Sequence, residues 1–338
     1  MPEIITKQEG VVRVNSYTKT LARVWRNTKH VWVNEDKLQQ LIEEMKGKDL
    51  STPAWDTYPA QPKLNCGLEE WINFVCWINT INFAFTNFEP PSTKFTVEYP
   101  LGMHWRGAFA MQACFMRALK EGTPVFDPDY MRNISLTDAA HIFRAADDDH
   151  QIPMLAERQM ILQQVAEILL RRYDGSWLNL FHFAGWRAFG GLGIVDQLTN
   201  AFFSFRDFRS YRRRNLLFQK RAQLLVMMYQ GRAMNSGGKF PLLKDADEIG
   251  PIADYEVPKT LKFLGVLEYS PLLEEMIRQH YVFMPGHTCE VENRLAMSYA
   301  MVKLCEGAGI NMAQADFHIW NLGRQSQEPH ILVPTTDY

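Results

Sequence analysis

No CxxC pair occurs in the 338-residue chain, and its five cysteines (Cys66, Cys76, Cys114, Cys289 and Cys305) are scattered. Neither a paired-cysteine metal site nor a disulfide framework is expected. Most of these cysteines sit in apolar helical patterns and read as small core residues in a reduced, intracellular setting. No run of about 18 apolar residues exists, so no transmembrane helix is expected. The opening MPEIITKQEG is polar and lacks the apolar stretch of a signal peptide, and a cytoplasmic protein is expected. A dominant charge is missing too: 36 Lys and Arg against 38 Asp and Glu leave a formal net charge of −2. Stable binding to duplex nucleic acid, which rests on neutralising many phosphates, is therefore not expected.

Several catalytic signatures are absent. The chain has no HExxH, no GxSxG and no P-loop, and its nine histidines show no repeated metal-ligand spacing. GGLGI (Gly190 to Ile194) lacks the third glycine and the preceding strand of a dinucleotide fingerprint. DDDH (Asp147 to His150) looks like a ligand set, but consecutive residues cannot all point at one ion, so it reads as a polar loop. No metal and no cofactor are expected. Internal repeats and low-complexity segments are missing as well.

Apolar patterning is abundant. Apolar residues make up 46% of the chain and aromatics 12%, including 9 Trp and 21 Phe. A large core explains most of this, and a flat ligand could explain the rest. Helical periodicity dominates. NEDKLQQLIEEM offers Asn34 as a cap and Leu38, Leu41, Ile42 and Met45 on one face. The stretch from Gly67 to Phe85 is apolar all round and reads as a buried central helix. A helix from His104 should stop at Gly122. SLTDAAHIFRA opens with a capping box at Ser135, and MLAERQMILQQVAEILLRRY, FQKRAQLLVMMYQGR and EVENRLAMSYAMVKLCEGAG repeat the pattern. Strand signals are few: KFTVEY from Lys94 to Tyr99 and VVRVN. The expected fold is mainly α, a single compact helical body over 1–338, with one small β hairpin or sheet. A subdivision near 62–180 and 181–338 is the alternative.

Four places carry candidate chemistry, each with a bland reading beside it. In PIADYEVPKTLKFLG, Asp254 and Tyr255 precede an amphipathic helix; Asp254 is either its cap or a catalytic acid held where water is scarce. In ADFHIWNLG, Asp316 and Trp320 are four residues apart and share a helical face, with Asn321 adjacent. They either hold a planar heterocycle or form an ordinary final helix with a buried Trp. His104, read as opening a helix, is a neutral donor or acceptor or a plain structural histidine. Lys220 and Arg221 lie in an apolar helix, either snorkelling to the surface or meeting a phosphate or core carboxylate. The basic run RDFRSYRRR (Arg206 to Arg214) is a solvated face or an anion site.

INTINFAF, KFTVEY, MRALKEGTPV, MLAERQMIL, QKRAQLLV, ADYEVPKTLKFLGVLEYS, EVENR and ADFHIWN occur in an order that resembles the queuosine salvage family, the queuosine 5′-phosphate N-glycosylase/hydrolases. The resemblance covers nearly the whole chain from Val31. It implies a mainly α fold with a distant likeness to helix-hairpin-helix DNA glycosylases. It also implies hydrolysis of the N-glycosidic bond of queuosine 5′-monophosphate, releasing queuine for tRNA modification. The family's ADYRxPQ segment matches ADYEVPK and makes Asp254 the catalytic residue, with Glu256 and Lys259 replacing its Arg and Gln. The late Asp-x-x-x-Trp-Asp matches Asp316, Trp320 and Asn321.

On this reading Asp254, with Tyr255 as a hydrogen-bond partner, faces an oxocarbenium-like sugar. Asp316, Asn321, Trp320 and His104 contact the base, a 7-deazaguanine without N7. Lys220, Arg221 or the basic run takes the 5′-phosphate. The partner is a small molecule. Three rival readings remain: a nucleic-acid glycosylase; a protein that binds queuine or the nucleotide without chemistry, having lost a carboxylate at Asn321; and a ligand-free helical scaffold.

Overall fold

The computed structural model describes residues 14–90, 92–146, 151–324, 326 and 328–338. DDDH and MPEIITKQEG lie outside the described residues, as do Val11, Val12 and Arg13 of VVRVN; the described end of VVRVN, Asn15, caps α1 (Ser16–Ala22). Strand β1 (Val31–Val33) leads to α2 (Glu35–Met45), where Asn34 accepts the Lys37 N–H and Leu38, Leu41, Ile42 and Met45 are buried as the spacing predicts. The apolar α3 (Leu68–Thr80) is buried on nearly every side. It ends five residues early because its last turn hydrogen-bonds elsewhere. Asn79 and Thr80 side chains bond back to the carbonyls of Val75 and Trp77, and Arg221 takes the carbonyls of Asn79 and Thr80.

Next come β2 (Thr96–Glu98), β3 (His104–Arg106) and α4 (Ala108–Lys120). His104 thus lies on a strand and not at a helix start. Beyond them are α5 (Pro128–Arg132) and α6 (Leu136–Ile142), the latter with the expected Ser135–Asp138 capping box. The long α7 (Leu155–Tyr173), α8 (Trp177–Phe183) and α9 (Ile194–Ala201) follow. The hairpin β4 (Phe208–Tyr211) and β5 (Arg214–Leu217) precedes α10 (Lys220–Met234). The chain finishes with α11 (Glu256–Phe263), β6 (Leu267–Tyr269), α12 (Pro271–Arg278), α13 (Thr288–Ala308) and α14 (Met312–Gly323). Pro258 is tolerated in the first turn of α11 because that turn's N–H groups have no helical acceptor.

The fold is mainly α, with three separate antiparallel strand pairs among the described residues: β1–β6, β2–β3 and β4–β5. The basic run proves to be the β4–β5 hairpin, with Arg212 and Arg213 at its turn in the left-handed region (φ 49° and 60°). Buried apolar side chains form two clusters. One gathers α3, α4, α7 and α10; the other gathers α2, α11, α13 and α14; Trp320 packs against both. Helix α14 approaches α11 closely at Gly323, where an added Cβ would sit 2.0 Å from Thr260 Oγ1.

Candidate active site

A cavity of about 650 Å³ draws its lining from the segment before β2 and from β3, α4, α10, α11, α14 and the tail after α14. That volume suits a nucleotide-sized ligand. Its chemistry is best built from the turn before α11. Asp254 Oδ1 accepts the backbone N–H of Glu256 at 2.9 Å and of Val257 at 3.2 Å. The cap reading is therefore correct. It does not displace the catalytic one, because Oδ2 lies 3.8 Å from the Lys220 ammonium and the side chain lines the cavity. Burial pushes the Asp254 carboxyl up from its ordinary range, while Lys220 and the two amides pull it back. Burial likewise lowers Lys220, against the pull of Asp254.

Lys220 is placed from behind. It is the first residue of α10, following Gln219 in a left-handed conformation (φ 53°), a local strain of the kind that gathers at functional sites. Its N–H donates to Asp207 Oδ2 at 3.1 Å. Asp207 in turn holds the buried Arg294 guanidinium, and Arg294 Nε donates to the Ala253 carbonyl at 2.8 Å. One buried ion pair therefore fixes both the start of α10 and the residue before Asp254.

Helix α14 supplies Asp316 and Trp320 to the same cavity, on the shared face that their spacing predicts. The Asp316 carboxyl is buried, and its Oδ1 has no hydrogen-bond partner. Burial, with the charge of Asp254 next, raises it well above the usual carboxylate range. Trp320 stands among aromatics: Phe109 at 5.9 Å and Phe317 at 6.4 Å between ring centroids, with Arg324 over its face. This wall can stack a flat base.

Nearer the mouth, Glu256 is clamped between Lys94 and Lys259 Nζ, the latter at 2.7 Å. Although burial opposes ionisation, the two lysines bring the Glu256 carboxyl down to about 2. Tyr255 stacks on His330 with ring centroids 4.2 Å apart, in place of the expected hydrogen bond to Asp254. Burial holds His330 neutral, lowered to about 4. A carboxylate so depressed stabilises the fold above its unfolded value near pH 4.3, and that contribution is lost as pH falls towards about 2. Glu256→Gln should accordingly cost about 2–3 kcal/mol at pH 7, discounted because Lys94 is partly exposed. In urea titrations the gap between the two proteins should close between about pH 4.5 and pH 2.

The cavity brings together Asp254, Tyr255, Lys220, Asp316, Trp320 and, at its exposed rim, His104. It does not include Arg221, whose guanidinium is consumed by the carbonyls of Asn79, Thr80 and Ser204. Nor does it include Asn321, one position round α14 from Trp320, or the basic run. There Arg206 bonds the carbonyls of Thr199 and Asn200, and Arg209 pairs with Glu290 and Asp337. Sequence reading missed Lys94, Arg106, Arg324 and His330. It also missed Asn82 and Gln112, buried amides on the cavity wall; a lone polar residue inside an apolar stretch was their one signal.

The sequence profile of the queuosine salvage protein family matches residues 61–336. The chain belongs to that family. It is 31% identical to the queuosine 5′-phosphate N-glycosylase/hydrolase of Sphaerobacter thermophilus, over 90% of this chain and 91% of the relative. Identity is 29% to the protein of the same name from Bos taurus, over 96% and 97% of the two chains. With the Dictyostelium discoideum counterpart it is 26%, over 95% and 98%. The family profile spans α3 to α14 and so most of the cavity lining, Trp55 and Tyr338 excepted.

Proposed function

We propose that the protein hydrolyses the N-glycosidic bond of queuosine 5′-phosphate, giving free queuine and ribose 5-phosphate. The observation that carries this reading is Asp254: a carboxylate with its own cation and two amide donors, on the wall of a cavity that also offers an aromatic stacking face. Breaking the bond leaves positive charge on the sugar. Asp254 stabilises that charge and accepts the proton of the attacking water. Lys220 keeps Asp254 ionised despite its burial. Trp320 and Phe109 stack on the base, while Asn82 and Gln112 meet its polar edges.

The 5′-phosphate is assigned to the lining cations Lys94, Arg106, Lys259 and Arg324, since Arg221 and the basic run lie off the cavity. The lining holds five Lys and Arg (Lys94, Arg106, Lys220, Lys259, Arg324) against four Asp and Glu (Asp254, Glu256, Asp316, Glu328). With Asp316 neutral, two positive charges are in excess, enough for a monophosphate. The binding-only reading rested on Asn321 as a lost carboxylate, and Asn321 lies off the cavity, so its ground falls away.

Purified protein incubated with queuosine 5′-phosphate should release queuine, detected by mass spectrometry. Absence of release, with the nucleotide still raising Tm, would reduce the protein to a binder.

A further inference from the structure

We propose that Asp316 is the general acid of this reaction: it enters the cycle protonated and hands its proton to the leaving base. The inference rests on the hydrolase reading above and adds the group that lets the base depart.

Two carboxyls share one ammonium at this end of the cavity, and they are not equivalent. Asp254 has Lys220 at 3.8 Å and two backbone N–H donors. Asp316 Oδ1 is buried without any donor. A single proton on the pair therefore resides on Asp316, where ionisation gains least. Its other surroundings agree. Cys305, on α13, is a buried thiol that burial and Asp316 together push further from ionisation. On α11, Glu256 and Lys259 neutralise each other. His318, on the same helix as Asp316, is lowered by burial and then by Lys48. Among the described residues Lys220 is the one cation that acts on Asp316, and it pairs with Asp254 at 3.8 Å.

A neutral carboxyl facing a ligand cavity can give a proton as well as a hydrogen bond. A 7-deazaguanine has no N7 to protonate, so its departure as an anion is costly unless another atom is protonated. As water attacks C1′, the C–N bond breaks and its electron pair stays on the base. The base takes the Asp316 proton, and the proton of the water passes to Asp254. Return of that proton from Asp254 to Asp316, past Lys220, closes the cycle with no net gain or loss.

Asp316→Asn is the discriminating variant, because an amide keeps a donor and an acceptor but transfers no proton. Without substrate, the infrared C=O band of a protonated carboxyl should be present at pH 7 in the wild type and absent in the variant. In turnover, the variant should lose about 10²–10⁴-fold in kcat on queuosine 5′-phosphate, but less than about tenfold on p-nitrophenyl ribose 5-phosphate, whose leaving group needs no proton. Asp254→Asn should slow both substrates. A carboxyl band that persists in Asp316→Asn, equal losses on both substrates, or no loss on queuosine 5′-phosphate would each overturn the assignment. Wild-type protein that cleaves neither substrate would sink the hydrolase reading instead, and the infrared band would still decide whether Asp316 carries a proton.

Discussion

Asp254→Asn should lower kcat for queuine release by at least about 10³-fold while Tm stays within a few degrees of wild type. The two halves of this expectation come from the two oxygens. Oδ1 caps the first turn of α11 through the N–H groups of Glu256 and Val257, and an Asn carbonyl can accept the same bonds. Oδ2 carries the charge that meets Lys220 and, on the proposed mechanism, the sugar. The Asn side chain therefore preserves the cap and removes the charge. Asp254→Ala removes both. It should cost a further 1 kcal/mol or so for the cap, so reduced stability accompanies its inactivity. A comparison of the two variants, kcat beside thermal melts, separates capping from chemistry. Asp254→Asn protein that still releases queuine at a wild-type rate would remove Asp254 from the catalytic role.

The sequence was informative where periodicity is long. The faces of α2, α7 and α14 follow from spacing alone, so Asp316 and Trp320 could be placed together before any coordinates. KFTVEY alternates and does hold β2, but strands of three or four residues carry little alternation, and the β1–β6 and β4–β5 pairs went unread. The β4–β5 turn was hidden for a different reason. Arg212 and Arg213 occupy positive φ where Asn-Gly would be the usual signal, so the hairpin looked like a charge run. Arg221 was misread because its partners are backbone carbonyls 141 and 142 residues away, which leave no mark in local sequence. The Lys94–Glu256–Lys259 clamp escaped likewise: Lys94 and Glu256 are 162 positions apart. Asp254 itself was legible as a choice between two roles, and coordinates were needed to show that Oδ1 caps α11 while Oδ2 faces Lys220 in the cavity.

Arg294 should be the most damaging residue to alter among those that do not line the cavity. Its guanidinium is buried against Asp207 and Glu290, lies over the rings of Phe218 and Tyr338, and donates to the Ala253 carbonyl. Replacing it with Leu leaves the buried Asp207 carboxylate without its cation and Glu290 with Arg209 alone, a loss of about 3–5 kcal/mol. Many domains have little more stability than that to lose, so the Leu variant is expected to be poorly folded. Arg294→Lys is the informative change. It keeps the positive charge for Asp207 but loses the planar fork that reaches both Asp207 oxygens and Ala253 at once. A loss of about 2 kcal/mol in urea titrations is expected, together with a fall in kcat larger than any change in KM. The kinetic effect follows from the connections: Asp207 fixes the N–H of Lys220, and Arg294 fixes the carbonyl preceding Asp254. Both members of the proposed catalytic pair, Lys220 and Asp254, thus hang on one ion pair outside the cavity lining, and a small shift there changes their 3.8 Å separation. Arg294→Lys protein with wild-type kcat would show that α10 and the Asp254 turn are positioned by their helix packing alone.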